Sequence, residues 1–174
     1  IASIAPPIPP VQPDCIDSGE LSRKQAIQSA ILEGVSKAKP FEDGKGPEAT
    51  DTNFSKCINQ HTDSINTICT FLHLPNNLFS AERLTVIATT IAQSANTATS
   101  AKIADKIYQL LEPNLPTTTD KSVLDAITTL AFHLANTLTE SIILLIRYRK
   151  NFIRDVAIQA KNIQQQNNKN GVFV

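Results

Sequence analysis

The sequence predicts an all-α, single-domain bundle of about five helices, within a range of four to six. Three observations carry this. Pro and Gly cluster into a few breaks, at Pro6–Pro13, Pro40–Pro47, Pro75 and Pro113–Pro116. No Gly occurs between Pro47 and Asn170, so the Asn-Gly and Gly-X turns of tight β-hairpins are missing. Between the breaks, apolar residues recur at i, i+3, i+4 and i+7, the period of one helical face.

Residues 1–17 form a Pro-rich, extended arm ahead of a bundle over 18–166 and a frayed polar tail over 167–174. The first helix is expected from about Gly19 to Ala38, with Ser22 and Gln25 as a capping box. Ile27, Ala30, Ile31 and Val35 are its apolar stripe, and Gly34 weakens it by about 1 kcal/mol relative to Ala. The second helix is expected from Asp51, as N-cap, to His73. Phe54, Cys57, Ile58, His61, Ile65, Ile68, Cys69 and Leu72 share one face of it.

Ser80 caps the next helical stretch. Leu84, Ile87, Ala88, Ile91 and Ala95 lie on one face, but Ile103, Ala104, Ile107, Leu110 and Leu111 are offset by almost half a turn. A break within Ser94–Ser100 resolves the conflict. From Asp120 the pattern runs without Pro or Gly to about Gln165. One helix over this stretch spans ~65 Å; the alternative is a break near Asn136–Glu140, where Thr137 and Glu140 could form an internal capping box. Ile142–Ile146 is apolar on every side, which places it at the centre of the bundle.

The chain has 174 residues, enough for one core, and aromatics are only 5% with no Trp. The core is therefore aliphatic. The sixteen basic and sixteen acidic residues cancel, unlike the basic excess of a nucleic-acid binder. From Arg147 onward the count is six basic to one acidic. Arg147, Lys150, Arg154 and Lys161 share a helical face opposite Leu145, Phe152 and Val156. Such a face suits anionic lipid headgroups, an acidic partner or nucleic acid, or simply solvent near a helix C-terminus, which is the favoured reading. No apolar run approaches the ~20 residues of a transmembrane helix.

Three cysteines are an odd number. Cys57 and Cys69 on one helix stand ~18 Å apart along its axis, and a disulfide needs Cα atoms within about 7 Å. An antiparallel pairing of the first two helices favours Cys15–Cys69 over Cys15–Cys57. Cys57 is then the expected free thiol. Asn53-Phe54-Ser55 matches the glycosylation acceptor triplet. The chain starts at Ile1 and contains no Met. Removal of a leader is a common origin of such an end, so an exported protein is expected: extracellular, cell-surface or periplasmic.

Cys57/His61 and Cys69/His73 have metal-ligand spacing, yet each pair needs ligands from another helix, where His133 is the sole other imidazole. A packed Cys and a hydrogen-bonded His are the ordinary reading of such positions. No phosphate loop, nucleophile elbow or zinc-protease motif is present. No catalytic residue, metal or cofactor is assigned. The expected function is a non-catalytic interaction or assembly domain working through a protein partner or self-association. The alternative is a carrier of a small, lipid-like apolar ligand in the aliphatic core.

Overall fold

The computed structural model describes residues 18–38, 50–94, 99–117 and 120–169. The Pro-rich arm, Cys15 and the last five residues lie outside them. The chain is an all-α bundle: α1 (Ser18–Ser36), α2 (Asp51–Asn59), α3 (Thr62–Phe71), α4 (Ala81–Gln93), α5 (Ser100–Leu111) and α6 (Lys121–Lys169). The described residues contain no strand.

The helices begin where short polar side chains satisfy free backbone N–H groups. Thr50 Oγ1 accepts from Asn53 N at 3.1 Å, so Thr50 and not Asp51 caps α2. Ser80 Oγ accepts from Arg83 N at 3.3 Å, and Thr99 Oγ1 from Lys102 N at 3.4 Å. Asp120 Oδ1 takes both the amide and the hydroxyl of Ser122 at 2.9 Å, and these bonds hold its carboxyl below its ordinary pKa. The expected capping box at Ser22 and Gln25 is not a cap. The helix already runs from Ser18, with Glu20 in its first turn where an acid suits the dipole.

The break between Ile91 and Ile103 falls where the phase change requires it, with α4 ending at Gln93 and α5 starting at Ser100. The helix expected from Asp51 to His73 is instead two, parted at Gln60–His61. Carbonyls in the last turn of α2 are met from α6: Thr137 Oγ1 donates to Cys57 O, with Ile58 O at 3.4 Å. Outside bonds to those carbonyls lower the cost of interrupting the ladder. α3 ends with His73 at φ 57°, Leu74 N on Cys69 O at 2.9 Å and His73 N on Thr70 O at 3.1 Å. This is a Schellman ending with His in the position that Gly usually takes.

α6 packs against each of the other five helices. It is unbroken over 49 residues, ~73 Å at 1.5 Å per residue, so the long continuous helix is found and the alternative break at Asn136–Glu140 is not. Ile127, Leu130, Ala131, Leu134, Ala135, Leu138 and Ile142 are buried along it. They meet Ile27, Ile31 and Val35 of α1, and the buried Ile and Leu of α3, α4 and α5, in one aliphatic core. Lys121–Arg149 is long and apolar enough to cross a membrane, and 72% of its most apolar window is buried inside the bundle. That burial is the behaviour of a core helix.

Gly34 explains how closely α1 approaches α6. A Cβ at this position would stand 2.6 Å from Phe132 O and 2.8 Å from Ala135 Cβ. The glycine is therefore a contact requirement, not only a weak point in the helix. At the other end of α1, Arg23 is only 5% exposed. It pairs with Glu112 at 2.8 Å and donates twice to Pro116 O, at 2.8 and 3.2 Å. This fork ties α1 to the turn that follows α5.

Candidate functional site

Three features of the molecule could carry function: a polar seam inside the bundle, grooves between helices, and the far end of α6.

The seam is centred on α6, where Asn136, Thr137, Thr139, Glu140 and Ser141 are all buried. Asn136 Nδ2 donates to Gly34 O at 3.2 Å, which turns its Oδ1 toward His61 Nε2 at 3.0 Å. His61 must then carry a proton on Nε2. The His61 ring lies against His133 with centroids 4.6 Å apart. His133 Nδ1 is buried and has no hydrogen-bond partner. Burial, and then the nearby His61, push the His133 pKa below its ordinary value. Ser141 Oγ donates to Thr137 O at 2.7 Å. The bonds from Asn136 and Thr137 lock helices together, while His133 Nδ1 and Thr139 Oγ1 stay unsatisfied among the described residues.

The break at Gln60–His61 and the end of α3 put the two members of each Cys/His pair suggested by spacing in different elements. Cys57 is buried in α2, while His61 follows that helix and turns to Asn136. Cys69 is buried and its thiol pKa is raised by desolvation. His73 sits beyond the end of α3, exposed. The described residues contain no group of three side chains able to hold a metal ion. The pair that does form, His61 with His133, joins positions 72 residues apart, and no local spacing announces it.

Cys57 and Cys69 are not joined to each other. The Cys15–Cys69 pairing involves a residue outside those described. Asn53 lies in the first turn of α2 and is half-buried, not in a loop.

Of the basic face, Lys161 is exposed and Arg147 is half-buried. Lys150 and Arg154 lie within α6, their side chains outside the described set. Arg149, in the same basic stretch but off that face, donates to Ala92 O at 3.2 Å. A cation there faces the last turn of α4, where the helix dipole favours it. Residues 156–166 are exposed throughout, including Val156 at 47% and Ile163 at 59%.

Two grooves of about 320 Å³ each open between helices. One, between α4 and α5, is lined by Arg83, Val86, Ile87, Lys106 and Leu110, among others. The other, between α1 and α5, is lined by Ile31, Leu32, Asp105 and Tyr108, among others. Burial and the neighbouring Glu112 raise the Tyr108 pKa. Comparison with protein-family models, curated proteins and solved structures finds no match for this chain.

Proposed function

We propose that this chain is a non-catalytic interaction domain, exported or surface-exposed, that acts through protein–protein contacts. The bundle is its scaffold and the end of α6 is its contact element. The single observation that carries the reading is the contrast within α6. Its residues from Ile127 to Ile142 build the core, while 156–166 continue as exposed helix. Val156, Ala160 and Ile163 recur at i, i+4 and i+7, a seam of the kind a partner helix covers. An isolated helix gains little stability without such a partner.

The charge of this region selects the partner. Six basic residues against one acidic from Arg147 onward repel a second copy laid alongside and favour an acidic surface. The partner is accordingly an acidic amphipathic helix.

The test uses a Glu-rich amphipathic peptide with a Leu seam, and a Lys-rich peptide of the same seam as control. The full chain is expected to bind the acidic peptide, more weakly as salt rises. Val156→Glu with Ile163→Glu should abolish binding without moving the thermal midpoint, since both residues are exposed. Equal binding of the two peptides, or binding untouched by the double variant, would refute the reading.

A further inference from the structure

We infer that the groove between α4 and α5 binds a free, single-chain fatty acid as its carboxylate. The inference is independent of the contact role proposed for α6.

The groove combines an aliphatic wall with unopposed positive charge. Ile87 and Ile91 are buried beneath it, and Val86 is 54% exposed. Leu110 adds the wall from α5. The lining contains two cations, Arg83 and Lys106, and no carboxylate. Neither cationic side chain forms an ion pair with a described residue. The nearby Asp105 instead lines the other groove and accepts from Gln109 Nε2 at 3.1 Å. Two exposed cations beside an apolar trough match an anionic head on an apolar tail.

The polar lining decides between a lipid and a peptide. A peptide laid in the groove would bring backbone groups that need partners. The donors that could meet its carbonyls are engaged, Thr90 Oγ1 on Val86 O at 2.8 Å and Gln109 Nε2 on Asp105 Oδ2 at 3.1 Å. An alkyl chain asks nothing of them. The size decides the number of chains. Arg83 to Ile91 spans ~12 Å of helix and the groove holds about 320 Å³, room for one medium-length tail and not for the two of a phospholipid.

The ligand differs in place from one enclosed by the core. The core around α6 is filled by side chains such as Ile65, Ile107, Leu130 and Leu134, each almost fully buried. The groove instead leaves a ligand at the surface, with its charge toward solvent.

The probe is dodecanoate, titrated below its micelle concentration into the intact chain and followed by amide and isoleucine-methyl shifts. The expected result is saturable one-site binding with shifts centred on Val86, Ile87, Ile91 and Leu110. Arg83→Gln with Lys106→Gln should weaken dodecanoate binding about tenfold and leave binding of the neutral alcohol dodecanol unchanged. Val86→Asp should abolish both. Leu32→Glu, in the other groove, should change neither. Unaltered helical content and thermal midpoint confirm that each variant is folded. The inference is overturned by the absence of saturable binding, by equal losses for dodecanoate and dodecanol in the charge variant, or by binding indifferent to Val86→Asp.

Discussion

His133 shows how one side chain reports on its surroundings. Its Nδ1 is buried without a partner, and desolvation followed by the charge of His61 lowers its pKa from the ordinary value near 6.5. In the range just below that value the unfolded chain binds a proton that the folded chain refuses. Its contribution to stability is therefore complete above pH about 6.5 and is lost as pH falls from there. Thermal midpoints of the native chain should drop between about pH 7 and about pH 5, and by less in His133→Gln. Parallel pH profiles for the two proteins would show that His133 is not the source. Asn136 illustrates the same point from the hydrogen-bonding side. Its amide has only one orientation that serves both Gly34 and His61, so the residue fixes the register between α1, α6 and the α2–α3 joint.

At the scale of the element, Gly34 sets intrinsic preference against packing. Ala is the better helix former by about 1 kcal/mol, so propensity alone makes Gly34→Ala stabilising. Packing reverses the sign. The new methyl would stand 2.6 Å from the carbonyl oxygen of Phe132 and 2.8 Å from Ala135 Cβ, and α1 must move off α6 to admit it. Overpacking of this kind costs about 1–3 kcal/mol. The expected outcome is a net loss in chemical denaturation, read as a lower midpoint with an unchanged slope; a stabilised variant would contradict the close approach. Thr137 teaches a related lesson. Its cap-like place in the sequence suggested an interruption of α6, yet its hydroxyl serves the end of α2. A hydroxyl that can cap states a capacity, and the fold decides which helix uses it.

Across the whole molecule, stability is unevenly distributed along α6. From Ile127 to Ile142 most of it is packed among the other helices, whereas 156–166 are exposed. Helical backbone without tertiary contacts opens locally, and enclosed backbone opens only with the entire fold. Amides of 156–166 should exchange with solvent near the rate of an open helix, and those of 127–142 only through global unfolding. Uniform protection along α6 would mean that the far end is covered in solution.

Much of this organisation was legible in the sequence. Apolar periodicity placed the stripe of α1 and the buried faces of α4 and α5. The offset between Ile91 and Ile103 required a break and located it. These are local properties, because the 3.6-residue repeat acts within a few turns and needs no knowledge of neighbours. What only the tertiary structure decided depends on contacts between residues distant in the chain. The joint at Gln60–His61 is supported by Thr137 and Asn136, about 75 to 80 residues away. The meeting of His61 with His133 and the need for glycine at position 34 have the same origin. So has the charged lining of the α4–α5 groove, made from Arg83 on one helix and Lys106 on the next. Periodicity says which face of a helix is buried; packing decides what that face meets.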